Sequence, residues 1–136
     1  NGFIGNIQLT FIDEIIQRRK DNFLKIAKEI YKKTDRYYPI RLEHIDLISN
    51  FAIPLICKNE AIRNDLVKKC DNRVEIRPVV GGDMVMQPFF YKYVPSFINK
   101  FNNTNANLVH KQGLYFGNNP ELTQKEIRKL IKIFCD

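Results

Sequence analysis

The residues best placed to do chemistry lie in one stretch, Val74-Glu75-Ile76-Arg77-Pro78-Val79-Val80-Gly81-Gly82-Asp83-Met84-Val85-Met86-Gln87-Pro88-Phe89. Val74 and Ile76 alternate with Glu75 and Arg77, the period of a strand with one buried face. Pro78 then interrupts the ladder, Gly81-Gly82 frees the backbone, and the polar Asp83 and Gln87 follow among apolar residues. A strand that ends this way brings a guanidinium to a sheet edge and a partly polar loop to the same place, which is how a ligand-facing loop is often built. The plainer alternative is a hairpin or bulge whose glycines only supply unusual backbone angles.

No complete active site accompanies this stretch. His44 and His110 are the only histidines. His110 falls near a helix end, where a surface or partner-facing role is expected, and His44 sits in an unpatterned acidic stretch. No HExxH, GxSxG, P-loop or dinucleotide fingerprint occurs. Gly81-Gly82 opens no helix, so it is a weak phosphate signal. Cys57, Cys70 and Cys135 are odd in number and widely spaced, which suggests neither a disulfide framework nor a metal knuckle, and fits a reducing cytoplasm.

The net charge of +7 raises the question of an anionic partner. The basic residues fall mostly at polar positions of helical patterns, as in Gln17-Arg18-Arg19-Lys20 and Lys125 to Lys132, which reads as a solvated helix face. No nucleic-acid motif accompanies them. A free-standing basic module for RNA or an acidic protein is the alternative of another class, with the aromatics between Phe89 and Phe101 available for stacking on bases. No apolar run approaches a membrane span.

At 136 residues the chain is expected to be a single domain. Ile4, Ile7, Phe11, Ile15, Phe23, Ile26 and Ile30 recur at helical spacing and predict one long helix over residues 1–33, already under way at Asn1-Gly2. Ile40 to Leu47 reads as loop with a helical turn. Ser49 to Cys57 reads as a buried strand, placed at an edge or bulge by Pro54. Asn59 caps a short helix striped by Ile62, Leu66 and Cys70. After Phe89 the aromatic composition suggests a lid, or a segment packed on a missing partner. Asn102 to Asn105 is turn-like, and Ala106 to Gln112 forms a short helix. Gly113 to Gly117 forms a strand, and Thr123-Gln124-Lys125-Glu126 is a capping box opening a helix striped by Ile127, Leu130, Ile131 and Phe134. The sum is a small α/β or α+β unit, about three mainly antiparallel strands covered by helices.

Three blocks in this order resemble the C-terminal part of the DegT/DnrJ/StrS family of pyridoxal-phosphate enzymes that modify nucleotide-linked sugars. The first is Ile4-Gly5-Asn6-Ile7-Gln8-Leu9 running into Ile12-Asp13-Glu14-Ile15-Ile16 and Arg18-Arg19. The second is Ile76-Arg77-Pro78 through Gln87-Pro88. The third is Asn105-Ala106 through His110, Gly113-Leu114-Tyr115 and Asn118-Asn119-Pro120-Glu121-Leu122-Thr123. The resemblance implies the small C-terminal domain of a fold-type-I enzyme, inactive alone. Residues 1–33 would be the connector helix to a large pyridoxal-phosphate-binding domain of the same chain, usually in a homodimer. It implies amino transfer to a nucleotide-linked keto-sugar in polysaccharide or deoxysugar synthesis, or alternatively 3-dehydration of such a sugar. Pyridoxal phosphate would belong to the full-length enzyme, and none would be held by this chain alone. Arg77, Asp83 and Gln87 become substrate-binding candidates: Arg77 for an anion or hydroxyl through its planar fork, the other two to orient sugar hydroxyls or the loop. Surface pairing of Arg77 and loop-stabilising bonds from Asp83 and Gln87 are the competing assignments. Val85 and Arg77 stand where many members have histidine, a form more like the subgroup holding sugar 3-dehydratases and some GDP-sugar aminotransferases.

Overall fold

Thr10 breaks what the apolar spacing joins. Its hydroxyl donates to Ile7 O at 2.7 Å, and its amide reaches the same carbonyl at 3.2 Å. Phe11 N–H donates to Gln8 O at 3.1 Å, so two tight i→i−3 turns replace the α-helical ladder. The long helix expected over 1–33 is therefore two helices, α1 (Gly2–Leu9) and α2 (Ile12–Ile30). The computed structural model describes residues 2–79, 82–96 and 105–136, so Asn1, where the sequence suggests a helix under way, lies outside them.

The remaining elements are β1 (Ala52–Ile56), α3 (Glu60–Cys70), β2 (Ile76–Pro78), a 3-10 turn (Met84–Met86), α4 (Pro88–Tyr93), α5 (Asn105–Gln112), β3 (Gly113–Gly117) and α6 (Gln124–Cys135). The three strands lie in the order β1-β3-β2. β2 runs antiparallel to β3 with Ile76, Arg77 and Pro78 opposite Phe116, Tyr115 and Leu114. Cys57 N–H donates to Gln112 O, and Asn118 N–H to Phe51 O, so β1 also runs antiparallel to β3. This is a small α+β fold, as the alternation of patterns implies. Pro54 and Pro78 both sit on edge strands, where a missing N–H costs nothing in the ladder.

Two compact units divide the chain. The first comprises Asn1–Lys33, Pro39–Ile53 and Gly117–Asp136. In it α2 packs on α6, burying Phe23, Ile26, Ala27 and Ile30 from one and Ile127, Leu130 and Phe134 from the other. Thr123 accepts from Glu126 N–H while the Glu126 carboxylate accepts from Thr123 N–H at 2.8 Å, the expected capping box. Asn118, only 1% exposed, donates through Nδ2 to Arg19 O and to Asn50 O, each at 2.9 Å. Asn22 Nδ2 reaches Asn119 O at 3.0 Å. α1 has no buried residue, and Phe3, Ile4, Ile7 and Leu9 are exposed.

The second unit comprises Thr34–Tyr38 and Pro54–Phe116. Its buried side chains include Tyr37, Leu55, Leu66, Leu114 and Phe116, and α3 packs on α5. Asn59 caps α3 by accepting from Ile62 N–H at 2.9 Å, as its position implies. The strand expected to begin at Val74 begins two residues later, because Val74 N–H is taken by Cys70 O at the end of α3. Among the described residues no helix is long and apolar enough to cross a membrane.

Candidate functional site

β2, the segment Gly82–Gln87, α4 and α5 all belong to the second unit, and together they hold the predicted site residues. Arg77 stands on the edge strand with a 63% exposed side chain. Its Nε donates to Glu75 Oε1 at 2.8 Å and its Nη2 to the same oxygen at 2.5 Å. That bond, then the charge of Glu75, then Tyr115 opposite it, push the guanidinium pKa further up. The surface pairing expected as the competing assignment for Arg77 is thus formed, with Glu75 immediately before the strand. A pair this exposed holds the guanidinium only weakly, so an incoming anion can compete for it.

Asp83 is 3% exposed. Its Oδ1 accepts from Val85 N–H at 3.0 Å, so it caps the 3-10 turn. Gln87 precedes Pro88, which occupies the first position of α4, where its lacking N–H is no loss. The Gln87 carboxamide donates to Asp83 O at 3.4 Å. These two side chains shape the loop, and Arg77 presents the exposed donor. Gly81 of the glycine pair lies outside the described residues. Gly82 has φ +55°, a left-handed backbone that glycine adopts without strain.

His110, expected near a helix end in a surface or partner-facing role, lies in the last turn of α5 and is half-buried there; its Nδ1 accepts from Asp83 N–H at 3.2 Å. A Cβ on Gly82 would stand 2.0 Å from that nitrogen. No short-range pattern announces this contact, since the partners are 27 residues apart. The aromatic run after Phe89 begins as a regular element, the helix α4, with Phe89, Tyr91 and Tyr93 exposed. Proline at its first position explains that start; Phe97 and Phe101 lie outside the described residues.

The same segment supplies no lysine amine between Gly82 and Gln87, and its one carboxylate is turned onto Val85 N–H. It therefore does not fit the task of holding pyridoxal phosphate covalently or pairing with its ring nitrogen. A separate apolar groove in the first unit, about 390 Å³ in volume and lined by Leu24, Ala27, Lys28, Tyr31, Lys32 and Leu42, gathers no carboxylate, thiol or imidazole; burial pushes the Tyr31 phenol pKa up.

Comparison with known proteins agrees with this architecture. No family profile and no curated protein matches the sequence. Among solved structures the chain is similar to an E. coli GDP-4-keto-6-deoxy-D-mannose-3-dehydratase with bound hydrated PLP, at 25% sequence identity and a TM-score of 0.71. The match covers 96% of this chain and 33% of that one, so the chain spans about a third of the length of the enzyme it resembles.

Proposed function

We propose that this chain is the C-terminal part of a pyridoxal-phosphate-dependent enzyme that modifies a nucleotide-linked keto-sugar. The observation that carries the reading is the structural match over 96% of the chain to a sugar 3-dehydratase, found for a sequence whose three ordered blocks already resemble enzymes of that kind. Loop 82–87 then forms one wall at the sugar end of the site. Arg77 offers its donor fork to an anionic or hydroxyl group, while Asp83 and Gln87 fix the shape of the wall. The cofactor, the group that makes an imine with amine or sugar, and its phosphate cradle belong to a large domain of the same protein. The apolar side chains exposed on α1 support a further partner surface there, either that domain or a second subunit of a homodimer.

Two chemistries remain in view. Amino transfer from glutamate to the keto-sugar is the reading favoured by the general pattern of the three blocks. Removal of the 3-hydroxyl is favoured by the solved neighbour and by the Arg77-Pro78 form of the second block. The protein carrying this chain, supplied with pyridoxal phosphate, glutamate and GDP-4-keto-6-deoxymannose, tests both by mass spectrometry of the sugar product. A gained amino group establishes the first and a lost 3-hydroxyl the second. No cofactor binding and no sugar turnover, together with tight salt-dependent binding of oligonucleotides, would overturn the enzyme reading in favour of a basic nucleic-acid module.

A further inference from the structure

Gly82–Gln87 lies between a three-residue strand and a six-residue helix, so little regular structure holds it. Its internal bonds are short-range. Asp83 Oδ1 accepts from Val85 N–H at 3.0 Å, and Met86 N–H reaches Asp83 O at 3.0 Å. Bonds of this kind set the shape of a loop but leave its place in the molecule open. Two contacts that do set its place run through one side chain on α5. Asp83 N–H donates to His110 Nδ1 at 3.2 Å. Gly82, at φ +55°, lies so near the imidazole that a Cβ would stand 2.0 Å from Nδ1 and 3.0 Å from Cε1.

We infer that His110 is the positioning residue of this loop. Its Nδ1 lone pair fixes the Asp83 amide, its ring fixes the Gly82 backbone, and the wall carrying Asp83 and Gln87 is thereby seated from α5. The neutral ring accepting at Nδ1 carries its proton on Nε2, so the seat also selects one tautomer. Gly82 belongs to the same device. Any side chain there would force the ring away, and the left-handed backbone is what aims the Asp83 amide at it. The consequence for catalysis rests on the reading of the loop as a sugar-site wall; the anchoring itself does not.

The asparagine side chain separates the lone pair from the ring, because its Oδ1 lies as many bonds from Cα as Nδ1 does, whereas leucine keeps apolar volume and has no acceptor. In the 136-residue chain, His110→Leu is expected to speed hydrogen exchange at the Asp83 amide about tenfold, and His110→Asn to keep it within about twofold of the parent. The Leu114 and Phe116 amides should stay protected in both. Equal Asp83 protection in all three proteins overturns the inference, and so does equal loss in Leu and Asn. If His110→Leu does not fold, Gly82→Ala and Gly82→Ala/His110→Ala replace it. Coupling through the ring requires that Gly82→Ala exposes the Asp83 amide less in the His110→Ala background than in the parent, and strictly additive effects refute it. In the active enzyme, His110→Leu should raise KM for the sugar several-fold with kcat nearly unchanged, and His110→Asn should restore it. Lost amide protection with an unchanged KM would leave the anchoring standing and sink the sugar-wall reading.

Discussion

Replacing Asn118 tests whether a buried carboxamide ties α2 to the segments that flank the sheet. Asn118 is 1% exposed. Its Nδ2 spends both protons on main-chain carbonyls, Arg19 O and Asn50 O, at 2.9 Å each. A net hydrogen bond is worth about 0.5–1.5 kcal/mol, and each carbonyl left without it in a dry site adds to the loss. Two bonds therefore put Asn118→Ala at roughly 2–3 kcal/mol before cavity formation. Against that stands the Asn118 Oδ1, which has no hydrogen-bond partner among the described residues, so truncation also removes an unsatisfied acceptor worth about 1 kcal/mol. The expected net is about 1.5 kcal/mol before any cavity is counted, a fall in Tm of about 5 °C for a chain of this size. Asn118→Asp is the sharper variant. It keeps the volume but turns an acceptor oxygen onto two carbonyl oxygens, so it should cost more than alanine despite leaving no cavity. Urea unfolding followed by circular dichroism reads both. An aspartate variant as stable as the parent, or more stable than the alanine variant, would refute the claim that donation from Nδ2 holds these segments together.

Gly113→Ala should cost more than about 2 kcal/mol, because a Cβ would stand 2.3 Å from Val109 O, a backbone atom unable to yield. Gly117→Ala, with nothing within 4 Å of its Cβ, should stay within about 0.5 kcal/mol of the parent in the same thermal melt. Thr123→Ala should remove the α6 cap at about 1 kcal/mol. It should also flatten the acid limb of stability, since the bonds from Thr123, side chain first and backbone second, hold the Glu126 carboxyl pKa below its ordinary value. A depressed folded value means a contribution fully present above the unfolded carboxyl pKa of about 4.3, and lost as pH falls through the folded one. Melts from pH 7 to pH 2 check the difference. Burial pushes the Cys57 thiol up to about 11 against the pull of Arg63 and Arg36, and raises that of Cys70. At pH 8 a thiol reagent should therefore modify the half-buried Cys135 first and the other two only on unfolding; equal rates at all three would contradict the burial.

What the sequence made legible is what short-range physics decides. Asn59 and Thr123 bond within one helical turn, so their caps follow from residue type and spacing, and Gly113–Gly117 is bounded by residues that end strands. Thr10 shows where this stops. Its hydroxyl competes with the helix for a carbonyl three residues back, and the apolar period across Ile7, Phe11 and Ile15 gives no sign of it. Val74 likewise fits the strand period, yet its amide closes the end of α3. The contact between Asp83 and His110 is of a third kind, since it exists only once the β2 loop and α5 are folded beside each other.

That distinction bears on where the recognition chemistry of the loop can come from. Asp83 is buried and spends one of its two carboxylate oxygens, Oδ1, on Val85 N–H, and Gln87 gives an amide proton to Asp83 O. A polar side chain engaged in building a loop has fewer groups left to offer a ligand. These two candidates, expected to orient sugar hydroxyls or the loop itself, therefore act first on backbone geometry. Arg77 differs: its partner Glu75 is as exposed as itself, and the bond between them is of the kind an anionic ligand displaces at little cost. If this wall meets a nucleotide-linked sugar, its direct polar contact is with Arg77. The contribution of Asp83 and Gln87 is then the precision with which the loop is held, a precision that reaches back through one amide to His110.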